Sequence, residues 1–155
     1  MNIVIRVDAS EKIGSGHFYR TFLLAKYLKK KNRIHFISEN LKKEYKDKLN
    51  KENFVFHKIN IKKNLPNDSL QTITKLKKIG KPIDLLIVDN YKLSYFWEIK
   101  IAKYVKKIFV IDDFQRKHYC NIYLNYNTFK INKKLLPKEC IKLLGPKYIL
   151  LNPIY

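Results

Sequence analysis

The chain has 155 residues, with 33 Lys and Arg against 13 Asp and Glu, a net charge of +20, and 46% hydrophobic residues. That length fits one domain with an ordinary core, and the composition excludes a disordered, collagen-like or flexible-linker chain. The longest apolar runs, at residues 85–88 and 149–151, fall far short of the ~20 residues that span a bilayer.

Strands and helices are predicted in alternation. Residues 2–7 form a β-branched run, read as the first strand, followed by a loop over 8–16. Phe18, Phe22, Leu23, Leu24, Tyr27 and Leu28 give residues 17–31 an amphipathic helical pattern. A strand is predicted at 33–38, a charged helix at 40–50 and a strand at 54–59. Pro66, Asn67 and Asp68 mark a turn, and Leu70, Ile73, Leu76 and Ile79 line one face of a helix over 69–79 that Gly80 and Pro82 stop. The run at 83–88 is nearly continuous in apolar residues, as in strands covered on both faces. A helix over 94–105, a strand at 107–111 and a short strand at 121–124 follow. Residues 126–144 are polar, Lys-rich and without a clear period, and 145–151 read as a further strand or a departing linker. The succession implies an α/β fold: a Rossmann-like, mostly parallel sheet with helices on both faces.

The basic excess admits two readings. Only four of the 33 basic residues are Arg, and the lysines are scattered in pairs and triplets along the chain rather than in one stripe. A nucleic-acid surface favours a clustered face with Arg, so a solvated surface is the preferred reading and a basic nucleic-acid-binding domain a lesser alternative. Met1 leads into residues 3–6 with no apolar signal region, which places the expected chain in the cytoplasm without membrane insertion. Cys120 and Cys140 fit neither a zinc pattern nor a disulfide framework and are read as reduced thiols.

In an open parallel sheet, ligands bind beyond the carboxyl ends of the strands. Asp8, Asp89, Asp112 and Asp113 stand there. The first loop carries the sharpest pattern, Arg6-Val7-Asp8-Ala9-Ser10-Glu11-Lys12-Ile13-Gly14-Ser15-Gly16-His17-Phe18-Tyr19-Arg20. Two glycines before a helix let backbone amides approach a ligand. His17 then sits in the first helical turn, where the helix dipole favours the neutral ring, while a carboxylate such as Asp8 would orient it. Arg20, three residues on, shares its face. A dinucleotide fingerprint fails because the third glycine is missing and the loop is too long, and a Walker loop fails because no Gly-Lys-Ser/Thr follows. His35, His57 and His118 fall in other elements, so no metal site is expected.

This opening closely resembles that of the UDP-2,4-diacetamido-2,4,6-trideoxy-β-L-altropyranose hydrolases of pseudaminic acid biosynthesis. The likeness continues at Asp84-Leu85-Leu86-Ile87-Val88-Asp89-Asn90-Tyr91, at Val110-Ile111-Asp112-Asp113-Phe114, through residues 120–127 and at Gly145-Pro146-Lys147-Tyr148-Ile149-Leu150-Leu151. The resemblance implies a two-domain architecture like the GT-B glycosyltransferases, of which residues 1–144 would be the N-terminal catalytic-loop domain. Residues 145–155 would start the linker toward a UDP-binding C-terminal domain. It implies metal-independent hydrolysis, with inversion, of the bond between the anomeric carbon and UDP, and no cofactor. His17 would be the base that activates water. Asp8, Ser10, Lys12, Gly14, Gly16, Arg20, Asn90, Tyr91, Asp112 and Asp113 would shape the substrate site. Asn90 departs from the His that many relatives carry before the tyrosine. The expected partners are a UDP-linked sugar and either a C-terminal-half chain or a second copy. Alone the chain is expected to turn over slowly or not at all, which leaves a partner-dependent sugar-binding half as the alternative. An apolar patch is expected near Tyr91, Phe114 and the chain end.

Overall fold

The computed structural model describes residues 1–10, 13–61, 65–80 and 82–151. Seven parallel strands build one sheet in the order β3-β2-β1-β4-β5-β6-β7: β1 Asn2–Val7, β2 Arg33–Ser38, β3 Val55–Lys58, β4 Leu85–Asp89, β5 Ile108–Ile111, β6 Ile122–Asn125 and β7 Ile141–Leu144. The helices are α1 Gly16–Leu28, α2 Lys43–Lys51, α3 Leu65–Ile79 and α4 Tyr95–Ala102.

Side chains alternate across a strand, so each central strand must be apolar on both sides. In β1, Ile3, Ile5 and Val7 join one core with Phe18 and Ala25 of α1 and Tyr45 and Leu49 of α2. Val4 points the other way, into a second core with Leu76 of α3 and Trp97 and Ile101 of α4. The helices thus cover both faces, as the alternating pattern predicts. The aromatic stack of Phe18 on Tyr45, with centroids 4.3 Å apart, fastens α1 to α2. Truncating a fully buried Phe of this kind costs about 3–5 kcal/mol.

Arg6 shares the parity of Val4 and is wholly buried. Its guanidinium meets Asp8 at 2.9 Å and Asp68 of α3 at 2.6 Å, and the Trp97 indole also donates to Asp68 at 2.9 Å. Burial opposes the Arg6 charge, but the two carboxylates outweigh it and raise its pKa.

Several boundaries differ from expectation. Helix α1 ends at Leu28, with a 3₁₀ turn at Lys29–Lys31 completing the predicted span. Helix α2 starts only at Lys43, because Leu41 bridges to Ala9 and the Asn40 carbonyl accepts from the Ala9 amide at 2.9 Å. Residues 145–151 form no strand over their described length. Pro146–Tyr148 is a 3₁₀ turn, and Tyr148 and Leu150 pack against the α1-side core. The strand β7 arises in the segment that lacked a period. The thiols of Cys120 and Cys140, which lead into β6 and β7, lie 3.7 Å apart, in a thiol hydrogen bond rather than a disulfide.

The strand order reverses between β1 and β4. Such a switch point opens a crevice at the carboxyl ends of the two strands, and Asp8 and Asp89 stand at those ends, with Val7 in register with Asp89.

Candidate active site

Asp89 has the parity of Ile87, so its carboxylate turns to the α1 side of the sheet. There it meets two residues of α1. His17 Nδ1 lies 2.5 Å from Asp89 Oδ1, and Arg20 donates from Nε to Oδ2 at 2.5 Å and from Nη2 to Oδ1 at 2.6 Å. A carboxylate accepts, so the hydrogen bond puts a proton on Nδ1, which then cannot accept from Arg20 Nη2 at 3.2 Å, and in the neutral ring the lone pair sits on Nε2. Among the described residues Nε2 has no hydrogen-bond partner, and the ring lines a cavity of about 250 Å³ together with Asp8, Ile13, Asp89, Asn90, Tyr91 and Lys92. The carboxylate that orients the ring is therefore Asp89, not Asp8.

Asp8 has the parity of Arg6 and serves the crevice differently. Its Oδ1 accepts from Ser38 Oγ and the Glu39 amide, both at 2.8 Å, and its Oδ2 accepts from Asn90 Nδ2 at 2.7 Å. Burial works against the Asp8 charge, yet Arg6 and these donors hold its carboxyl below the usual range. Asp8 thereby ties the ends of β1, β2 and β4 together.

Arg20 bridges the site. Beyond Asp89, its Nη1 reaches Asp113 at 2.9 and 3.1 Å and the Tyr126 hydroxyl at 2.7 Å. Burial opposes its charge, but hydrogen bonds and charge from Asp89 and Asp113 prevail and raise its pKa. The Tyr91 hydroxyl also donates to Asp113, and the Tyr91 ring meets His17 edge-on with centroids 4.4 Å apart. Burial and the Asp113 charge push the Tyr91 phenol upward, so it stays a protonated donor.

The first loop is shaped by Ser10 and Gly14. The Ser10 carbonyl accepts from the Gly14 amide at 2.8 Å, and its hydroxyl accepts from the Ile13 amide at 3.3 Å. Gly14 has φ 85°, in the left-handed region that strains a side chain. Gly16 opens α1 into free space, since a Cβ there would meet nothing within 4 Å. Lys12 lies outside the described residues. Asp112, of opposite parity to Asp113, turns to the α4 side: it accepts from Arg116, His118 and the Phe114 amide, and it does not line the cavity.

The predicted candidates Asp8, His17, Asn90 and Tyr91 thus converge on one cavity, with Arg20 and Asp113 behind it. Asp89 as the ring's partner, Tyr126 as a ligand of Arg20, and Ile13 and Lys92 in the lining were not foreseen. Strand parity could have found the first. Near the site, Phe114, Ile149 and Leu151 are exposed, and a second groove of about 520 Å³ runs between α1 and residues 149–151. Among the described residues no cluster of three or more His, Cys, Asp or Glu could hold a metal ion, and no helix is long and apolar enough to cross a membrane.

A seven-stranded parallel sheet with a crevice at its switch point defines a Rossmann-like α/β domain of the kind that makes up one half of a GT-B protein. MurG of Acinetobacter baumannii superposes on 88% of the chain with a TM-score of 0.58 at 14% identity, and the chain covers 44% of MurG. No protein-family model matches. In sequence the chain is related to the UDP-2,4-diacetamido-2,4,6-trideoxy-β-L-altropyranose hydrolase of Campylobacter jejuni subsp. jejuni serotype O:2, at 30% identity over 98% of its residues. It spans about half of that relative's length, 52%.

Proposed function

We propose that this chain is the water-activating half of a nucleotide-sugar hydrolase that releases UDP from a UDP-diacetamido-trideoxy sugar, in pseudaminic acid-type nonulosonate biosynthesis. The observation that carries the reading is the His17–Asp89 pair: Nδ1 is committed to the carboxylate, and Nε2 is left as a base at the cavity. In the reaction, a water oxygen bonds to the anomeric carbon while Nε2 takes its proton. The bond from the anomeric carbon to the diphosphate oxygen breaks, and UDP leaves with the bonding pair. UDP is a good leaving group, so no strong general acid is required. The Tyr91 hydroxyl, Asn90 and the loop around Gly14 and Gly16 orient the sugar, and the net charge of +20 favours an anionic diphosphate.

The half-length match to the relative favours a second element of the reading: turnover depends on a further domain that holds the nucleotide, on the same chain or another. The test measures UDP release from UDP-2,4-diacetamido-2,4,6-trideoxy-β-L-altropyranose with and without a candidate nucleotide-binding half. Activity of the pair that His17→Gln leaves untouched overturns the base assignment. A pair that binds the nucleotide sugar but never releases UDP reduces the chain to a sugar-binding half.

A further inference from the structure

Beneath the loop that carries Tyr91 runs a chain of charged groups that no step of the proposed hydrolysis uses. Arg116 donates from Nη1 to the Tyr91 backbone carbonyl at 2.6 Å and from Nε to Asp112 Oδ2 at 2.8 Å. Asp112 also takes the Phe114 amide at 3.0 Å and His118 Nε2 at 2.7 Å. The other His118 nitrogen meets Glu98 Oε1 of α4 at 2.6 Å, and Glu98 Oε2 accepts from the Tyr119 amide at 2.6 Å. Glu98, Asp112 and His118 are almost fully buried, whereas Arg116 is partly exposed.

A partly exposed arginine ordinarily samples many rotamers, and holding it in one costs side-chain entropy. Here the Nε bond to a carboxylate that is itself fixed from two further directions leaves the guanidinium one placement, with Nη1 on the Tyr91 carbonyl. The same segment after β5 grips the Tyr91 side chain, through Asp113 on its hydroxyl and Phe114 edge-on to its ring at 4.9 Å. Backbone and phenol of Tyr91 are thus both held from beyond β5, and the ring is pressed to 4.4 Å from His17.

We propose that Arg116 is a positioning residue: through the Tyr91 carbonyl it sets the Asn90–Tyr91–Lys92 loop against His17, with Asp112, His118 and Glu98 fixing its guanidinium. The proposal rests on the hydrolase reading for its purpose, but its geometry is readable without turnover. The experiment is NMR on the whole chain with labelled Tyr and His rings, combined with amide hydrogen exchange. In Arg116→Ala the contact signals between the Tyr91 and His17 rings disappear, and exchange at Lys92 and Leu93, whose amides Asn90 holds through its side chain and its carbonyl, accelerates about tenfold or more, as for a lost charged hydrogen bond. Arg116→Lys restores part of both, and the Trp97 indole signal in the core stays in place in every variant. If Arg116→Ala does not fold, Arg116→Gln, which keeps one donor on a shorter stem, is read the same way. Unchanged ring contacts and exchange within twofold of the parent overturn the positioning role. Failure of the parent chain, paired with a nucleotide-binding half, to release UDP overturns only the hydrolase reading and leaves these changes standing.

Discussion

His17 and His118 each lean on a carboxylate at the end of a central strand, Asp89 of β4 and Asp112 after β5, yet the two rings are built for opposite ends. His118 has an acid on both nitrogens, with no access to solvent. His17 has an acid on one nitrogen and a cavity at the other side of the ring. An imidazole clasped twice is a cation that fastens structure. One clasped once has a fixed tautomer and a spare lone pair, which is what proton abstraction requires.

The largest expected effect tests the open ring. With a competent nucleotide-binding half, His17→Ala should lower the rate of UDP release about 10²–10⁴-fold, the usual share of general base catalysis. Its thermal stability should shift little, because the ring sits at a cavity wall. A large loss of stability with a small loss of rate would make His17 a second His118.

The clasped ring should behave in the converse way. His118→Ala leaves Glu98 and Asp112 buried without their shared cation, and breaking a buried ion pair costs about 3–5 kcal/mol. For a chain of this length that is a fall in melting temperature on the order of 10 °C, read by calorimetry.

The two rings were unequally legible. His17 is visible in the sequence because its loop, glycines and helix start are contiguous. Its partner is not, because Asp89 lies 72 positions away, and only the sheet brings them together. Parity carries the missing information. Asp89 alternates with Ile87 onto the α1 side, whereas Asp8 and Asp112 alternate onto the α3 and α4 side with Arg6 and Val110. The central strands β4 and β5 were legible because burial on both faces demands nearly unbroken apolar runs, and β1 and β2, though interrupted by Arg6 and His35, were legible from their β-branched and aromatic residues. The edge strand β7 was not, since Ile141 is exposed, Lys142 follows, and an edge needs little apolar signal.

The pH dependence of stability sharpens the contrast further. Burial opposes the His118 charge, but Asp112 and Glu98 overcome it and lift its pKa to about 9. A raised folded-state value means that its stabilisation is complete below the unfolded value near 6.5 and is lost as pH rises through 9. The opposite case is His35, which burial, His57 and Arg33 depress to about 4. Its contribution is present above 6.5 and is lost as pH falls through 4. Unfolding free energies from denaturant titrations should therefore decline on the alkaline side by on the order of 2–3 kcal/mol. His118→Asn should flatten that alkaline limb and leave the acid limb, and a limb of unchanged slope would show that another group titrates there.

The smallest effect separates the Tyr91 ring from its hydroxyl. Tyr91→Phe keeps the edge-on contact with His17 and deletes only the donor to Asp113. Asp113 retains Arg20 through two bonds and is partly open to water, so the vacated lone pair is readily hydrated. The cost in stability should stay within about 1 kcal/mol, the net worth of an ordinary hydrogen bond. If the phenol also binds the sugar, KM should rise several-fold while kcat stays within about twofold of the parent. A fall in kcat as large as that of His17→Ala would mean that the phenol reaches the proton-transfer step itself, and that the base at this site is a pair of residues rather than one ring.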